Sequence, residues 1–317
     1  MKGKMYNFLL TLITILSSLA NSQSFVSKGK LITKSTLKNF QTKKCDAAKL
    51  SMIAQSEFGV VEIDDDSIAF ELSVGSLRPS VMYLPSLDRP KNDLKTSIIK
   101  RFCQRQNRTY LSADWYGVGG SSGKVIDGTV SRWKDDTITM IETLCPKDKM
   151  ILVGGGVGGW IALLIAIERP DLVAGIVGLA ADPDFTENLL WKNFSDDVKK
   201  EIMEKGHKVI EWGSRKYPIS KALIEDGRNN LLLDGPKGGL EINCPVRLVH
   251  GLRDEEVPLD VTMKLAMRLA SDNVQVLIQK NGDHTLTGQL DFGLIRMALN
   301  DCIANFIEVD LTTPGSG

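Results

Sequence analysis

The sequence predicts an α/β protein with a mostly parallel sheet, and three observations favour this class. Short apolar runs such as "MILVG" (Met150–Gly154) are typical of strands that are buried on both faces. Helical patterns alternate with these runs, as expected when helices cover both faces of a sheet. A chain of 317 residues is long enough for one large domain or two small ones.

Eight strands are predicted. The first two form a hairpin, "FGVVEIDDDSIAFELS", with an acidic turn at Asp64–Asp66, and they make the sheet mixed. The other six strands are predicted at residues 80–85, 109–115, 150–154, 172–181, 245–251 and 273–280. Helices are predicted at residues 94–106, 129–144, 157–167 and 290–307.

An insert lies between the sixth and seventh strands, at residues 182–243. It shows no strand pattern and carries aromatic residues, among them Trp212 and Tyr217, between many charges. Inserted helices at the carboxyl edge of a parallel sheet usually cover a pocket. The sequence therefore predicts a helical cap within an α/β domain at residues 46–310, followed by a disordered tail at residues 311–317.

Residues 1–45 are predicted to be a targeting leader. They contain eight lysines and no acidic residue. Phe8–Ala20 is too short to span a bilayer and resembles the apolar core of a secretory signal, with cleavage after Ser18-Leu19-Ala20. The Ser/Thr/Lys-rich continuation is more typical of a mitochondrial presequence. Both destinations remain open from these residues, and no stable membrane span is expected.

Composition limits the possible partners. The formal net charge of zero gives no support for nucleic-acid binding. The five cysteines lack the spacing of a zinc site, and their odd number argues against a disulfide framework. Neither a metal nor a cofactor is expected.

The glycine run that follows the fifth strand has two interpretations. Gly154-x-Gly156-x-x-Gly159, between a strand and a helix, matches the fingerprint of a dinucleotide-binding domain. Alternatively, Gly154-Gly-Gly156-Val-Gly158 is a Gly-x-Ser-x-Gly nucleophile elbow with glycine in place of the serine.

Two residues further along the chain favour the elbow. Asp254 follows the seventh strand and His284 follows the eighth. The carboxyl ends of parallel strands meet at one edge of the sheet, so these side chains are expected to meet near residue 156. An acid and then a histidine, both after the elbow, is the order found in α/β-hydrolases, where the carboxylate orients the imidazole.

Residues 58–307 resemble the α/β-hydrolase-domain family that includes acyl-glucuronide esterase and mitochondrial palmitoyl-protein thioesterase. The matching stretches are "DWYGVGGSSG", "TVSRW", "ILVGGGVGGWIALLIAIERPDLVAGIVGLA", "CPVRLVHGLRDEEVP" and "GDHTL". The resemblance implies an α/β-hydrolase fold, hydrolysis of carboxylic esters or thioesters without a cofactor, and a small-molecule ester or acylated protein as ligand. It also favours the mitochondrial destination.

The chain departs from the family pattern twice. Gly156 stands where the family has its nucleophilic serine, and Ser86 replaces the glycine of a Leu-Pro-Gly-aromatic turn. In the family this turn and the elbow supply the oxyanion-hole amides, which here correspond to Leu87 and Val157. A catalytically impaired hydrolase is therefore expected. The alternatives are an active enzyme that uses water activated by His284, a misrecorded serine, or the dinucleotide-binding protein.

Other candidates are less convincing as catalytic groups. Ser121 and Ser122 are interpreted as turn residues, and His250 as a structural hydrogen-bonding residue. His207 is expected on a charged, solvated cap helix.

Overall fold

An eight-stranded, mostly parallel sheet forms the centre of the protein, as the sequence predicts. A computed structural model of the chain describes residues 56–87, 89–212 and 215–306. The leader, the tail and the outermost residues of the predicted domain lie outside these ranges. The order across the sheet is β1 (Glu57–Ile63), β2 (Asp66–Ser73), β4 (Arg108–Ala113), β3 (Leu77–Leu84), β5 (Met150–Gly155), β6 (Val173–Leu179), β9 (Val246–Gly251) and β10 (Val274–Gln279). Only β1/β2 and β2/β4 pair antiparallel, so the hairpin at the edge is what makes the sheet mixed.

The strands and helices have the following bounds. The strands are β1 Glu57–Ile63, β2 Asp66–Ser73, β3 Leu77–Leu84, β4 Arg108–Ala113, β5 Met150–Gly155, β6 Val173–Leu179, β7 His207–Trp212, β8 Arg215–Ser220, β9 Val246–Gly251 and β10 Val274–Gln279. The α-helices are α1 Leu94–Arg105, α2 Val130–Leu144, α3 Val157–Glu168, α4 Asp196–Lys205, α5 Lys221–Arg228, α6 Leu259–Arg268 and α7 Gln289–Ala304.

Strand β5 shows why the apolar runs are continuous rather than alternating. Met150 and Leu152 belong to a core layer with Trp133 of α2, while Ile151 and Val153 pack in a second layer. Every residue of β5 is buried because helices cover both faces of the sheet. Strands β3, β5, β6, β9 and β10 pair in parallel, so their carboxyl ends share one edge of the sheet.

The insert contains α4 and α5, as a helical cap predicts, but it also contains the antiparallel hairpin β7–β8. The expectation that His207 lies on a helix is wrong, because it is the first residue of β7. Gly206 ends α4 in a left-handed conformation (φ 84°), after which exposed and half-buried residues alternate along β7. The charges of this segment conceal the two-residue alternation of a strand. Trp212, at the end of β7, stacks on Phe185 with 5.4 Å between the ring centroids. Helix α6 also lies outside the predicted set.

Candidate active site

Residue 156 has the backbone conformation of a nucleophile elbow. Gly156 lies between β5 and α3 with φ 51° and ψ −122°, a region that is strained for any residue with a side chain. Its amide donates to the carbonyl of Leu179, and its carbonyl accepts from the amide of Gly159. The turn is therefore held by the sheet and by the first turn of α3.

Tight packing explains the neighbouring glycines. A Cβ on Gly154 would come within 2.3 Å of the backbone of Gly158, and a Cβ on Gly159 would come within 2.4 Å of Ala181 Cβ. Both positions thus need glycine so that the strand can contact the helix closely. This requirement accounts for the fingerprint without a bound pyrophosphate and favours the elbow interpretation.

Asp254 and His284 contact each other. His284 Nδ1 donates to Asp254 Oδ2 at 3.0 Å, and the Asp254 side chain is completely buried while that of His284 is 17% exposed. The amides of Glu256 and Val257 donate to Asp254 Oδ1 at 2.9 and 2.8 Å. Burial tends to raise the pKa of Asp254, but the His284 hydrogen bond and charge, together with these amides, lower it overall. Asp254 is thus a carboxylate that orients the imidazole.

His250 supports this pair from the interior. Its Nε2 lies 3.1 Å from the carbonyl oxygen of Val257, and Thr262 Oγ1 lies 2.9 Å from its Nδ1. Burial lowers the pKa of His250, and its side chain is completely buried. His250 therefore holds the Asp254 loop and has no access to a ligand.

A cavity of about 110 Å³ lies beside His284. It is lined by residues of the β3–α1 connection, the cap hairpin and the Asp254 and His284 loops, including Ser86, Lys95, Arg215, Tyr217, Glu256 and His284. His284 Nε2 is 3.7 Å from Glu256 Oε2. The cap hairpin thus forms part of the cavity wall.

Two side chains surround the place where the missing serine would stand. The Cβ of a side chain at residue 156 would lie 3.4 Å from Asp182 Oδ2 and 3.5 Å from Ser86 Oγ, which are ordinary contact distances. There is therefore room for a serine at this position. Since Ser86 also lines the cavity with His284, it connects the elbow to the Asp254–His284 pair.

Asp182 is an unusual neighbour for an elbow. It is 4% exposed, and its Oδ1 has no hydrogen-bond partner within the described residues. Burial, and secondarily the charge of Asp254, raises the pKa of Asp182 well above its usual value. Burial therefore favours the neutral form of this carboxyl group beside residue 156.

The two expected oxyanion donors, Val157 and Leu87, belong to segments that contact each other. Val157 begins α3, and Leu87 follows the β3 strand end in a turn that approaches the helix closely. A Cβ on Gly158 would lie 2.3 Å from the carbonyl oxygen of Leu84, which brings the two segments into contact. The donor roles of Val157 and Leu87 stay predictions.

The remaining serine candidates are occupied by structural hydrogen bonds. Ser121 Oγ donates to the carbonyl of Asp114 and accepts from the amide of Ala69. Ser122 Oγ donates to Asp66 and accepts from the amide of Ser67. Both side chains tie their loop to β2.

Three residues of this site have no catalytic role predicted from the sequence. For Ser86 the sequence predicts only an effect on the Leu87 amide, although its place after β3 puts it at the carboxyl edge. Asp182 follows β6 at the same edge, which is the signal that could have identified it. Lys95, in the first turn of α1, reaches the cavity through its long side chain and gives no sequence signal.

Comparison with known proteins gives a consistent result. A model of the prolyl oligopeptidase family matches residues 138–291, which include the elbow, Asp254 and His284. The mitochondrial palmitoyl-protein thioesterase ABHD10 of Bos taurus is 32% identical over 230 residues, 71% of this chain and 73% of that protein. The Homo sapiens ABHD10 protein is 31% identical over 230 residues, with the same coverage of both chains.

A solved structure supports the same relationship. The α/β-hydrolase domain-containing protein 10 from mouse superposes with a TM-score of 0.71 at 27% identity, covering 78% of this chain and 98% of that chain. Sequence and fold agree, and the chain belongs to the α/β-hydrolase family of the ABHD10 palmitoyl-protein thioesterases.

Proposed function

We propose that this protein binds carboxylic esters or acyl thioesters in the cavity beside His284 and hydrolyses them poorly. One observation carries the proposal: a glycine occupies the elbow, at φ 51° and ψ −122°, in a protein that keeps the Asp254–His284 pair. The pair can accept a proton from a hydroxyl group, but residue 156 has no atom that could attack a carbonyl carbon. No acyl-enzyme forms at this residue.

The size of the impairment follows from the mechanism. Loss of one member of a Ser-His-Asp triad leaves roughly 10³–10⁴-fold catalysis over water, supplied by substrate binding and the oxyanion hole. In this protein the hole is altered as well, because Ser86 precedes the Leu87 amide. We therefore expect turnover well below that of a matched chain with a serine at residue 156.

A second candidate is hydrolysis by water that His284 activates as general base. The cavity beside the imidazole, at about 110 Å³, supports this candidate because it is large enough to hold water. Such a route needs no covalent intermediate.

The names of the relatives support the proposed ligand and location. They are described as palmitoyl-protein thioesterases of mitochondria, and we extend both properties to this chain. The ligand is then an acylated protein or a small ester, and the leader directs the protein to the mitochondrion. Within residues 56–87, 89–212 and 215–306, no helix is long and apolar enough to cross a membrane.

The proposal is tested by measuring binding and turnover separately. A non-hydrolysable palmitoyl thioether should bind the wild-type protein saturably and displace p-nitrophenyl esters from the cavity. Turnover of p-nitrophenyl and thioester substrates should rise by about 10²-fold or more in Gly156→Ser. Absence of thioether binding, or equal turnover in the two proteins, would overturn the proposal.

A further inference from the structure

Ser86 places a hydroxyl group beside the position that a side chain at residue 156 would occupy. Its Oγ lies 3.5 Å from the position where the Cβ of a serine at residue 156 would stand. A serine hydroxyl is only one bond from its own Cβ, so Ser86 offers an oxygen close to the place that the elbow leaves empty. Within the described residues, no hydrogen bond occupies this hydroxyl, in contrast to those of Ser121 and Ser122.

A proton acceptor faces the same cavity. Ser86 and His284 both line the cavity of about 110 Å³, and Asp254 holds the imidazole through Nδ1. Nε2 is therefore the nitrogen left to take a proton. Glu256 Oε2 lies 3.7 Å from this nitrogen.

The Ser86 hydroxyl and the Lys95 ammonium group both lie close to Gly155. The position of a Cβ on Gly155 is 2.9 Å from Ser86 Oγ and 3.5 Å from Lys95 Nζ. Lys95 is 6% exposed, and its Nζ donates to the carbonyl of Thr285 at 3.1 Å, next to His284. Burial lowers the pKa of Lys95, and in its protonated form the ammonium group favours negative charge on the serine oxygen as the proton leaves.

We propose that Ser86 is the acyl-accepting nucleophile of this protein, with His284 as its base and Lys95 as a positioning residue. This inference depends on the proposed binding of acyl esters and adds a reaction that residue 156 cannot perform. Ser86 Oγ attacks the acyl carbonyl carbon, and its proton passes to His284 Nε2. The bond from that carbon to the leaving oxygen or sulfur breaks, and the leaving group takes the proton from His284. Water then cleaves the acyl–Ser86 ester, which releases the carboxylic acid and restores the hydroxyl.

The reaction is expected to be slow compared with a family member that has its serine at the elbow. The Val157 amide follows residue 156 directly, so it is the expected donor for an intermediate formed on residue 156 rather than on Ser86. The Leu87 amide belongs to the residue that follows the new nucleophile, which keeps one donor adjacent to it.

A fluorophosphonate probe tests the proposal on the wild-type protein. Its phosphorus forms a bond to the attacking oxygen and loses fluoride, so the adduct identifies the nucleophile by peptide mass spectrometry. We expect one adduct per chain, located on Ser86. Its formation should be at least about 10-fold slower in His284→Ala, in line with the loss of a general base.

Two serine variants provide the matched comparison. Ser86→Ala should abolish the adduct and lower p-nitrophenyl ester turnover about 10-fold or more. Ser97→Ala, at an exposed position on α1, should change neither. An adduct on another residue, an adduct that persists in Ser86→Ala, or an unlabelled wild-type protein would overturn the proposal.

The two proposals fail in different ways. If the palmitoyl thioether binds but no adduct forms on Ser86, only the nucleophile assignment is lost. If the thioether does not bind, the proposed function itself fails. Turnover that is unchanged in Ser86→Ala would instead support water activated by His284.

Discussion

The two halves of the candidate site differ in how completely they preserve a serine hydrolase. On one side, Asp254 accepts hydrogen bonds from two backbone amides and the His284 imidazole, and its side chain is fully buried. On the other side, the elbow keeps its backbone but carries Gly156, with a serine at residue 86 and Asp182, whose pKa burial raises, beside it. The difference shows that the fold maintains the geometry of the elbow independently of the nucleophile.

The reason is that each half depends on different forces. Strand–helix packing fixes the elbow, since Gly154 and Gly159 permit a close approach that has no connection with catalysis. Hydrogen bonds to loop amides fix Asp254, and His250 holds the same loop from inside. A single side chain can therefore change at residue 156 while the rest of the machinery stays in place.

The largest expected effect concerns the preserved half. In a Gly156→Ser background, Asp254→Asn should lower kcat by about 10⁴-fold, because an amide no longer holds the imidazole in the correct tautomer. Asp272→Asn, at an exposed position before β10, is the matched control and should leave kcat unchanged. If Asp254→Asn retained full activity, the pair would have no role in the chemistry.

The next prediction concerns Asp182 and pH. Burial raises its pKa in the folded protein, so Asp182 keeps a proton that the unfolded chain has lost. The free energy of unfolding should therefore fall as the pH rises from about 4 through the raised pKa, and this loss should be absent in Asp182→Asn. Urea denaturation of both proteins at several pH values measures the difference. Parallel stability curves would mean that Asp182 is charged in the folded state.

The altered oxyanion turn should give a smaller effect. In the Gly156→Ser background, Ser86→Gly should raise kcat about 10-fold or more, because it frees the Leu87 amide to follow the family geometry and removes a hydroxyl from the nucleophile's surroundings. The same substitution in the wild-type protein should lower turnover, since it removes the proposed nucleophile. Effects of the same sign in both backgrounds would contradict one of these roles.

The smallest expected effect is on stability. Gly156→Ser should reduce the free energy of unfolding by about 1 kcal/mol, because a side chain at φ 51° and ψ −122° is strained. Gly293→Ser, at an open helical position in α7, should cause no such loss. Chemical denaturation of the three proteins measures both values. Equal effects at residues 156 and 293 would show that the elbow conformation is not strained.

The sequence predicted the sheet well because its strands are continuous apolar runs with helices between them. It also placed Asp254 and His284 at one edge, since residues that follow neighbouring parallel strands must meet there. The hairpin β7–β8 is not predicted because charged residues mask its alternating pattern. Its packing also depends on Phe185, which lies in an earlier part of the insert.

The side chains that meet in the site were harder to predict than the strands that position them. The contacts of Asp182 and Ser86 Oγ with residue 156 depend on the close approach of β3 and β6 to the elbow. Sequence order gives no distance between such loops. Lys95 was missed for a related reason, because a long side chain can reach a cavity from a helix that shows only an ordinary amphipathic pattern.

The most direct test of the account is fluorophosphonate labelling of Gly156→Ser at residue 156. The preserved pair should activate a serine there, so an adduct at residue 156 should form at least about 100-fold faster than any adduct on the wild-type chain, and should be lost when His284→Ala is added. If Gly156→Ser folds but acquires no adduct at residue 156, then Asp254 and His284 do not serve this elbow, and the account is contradicted.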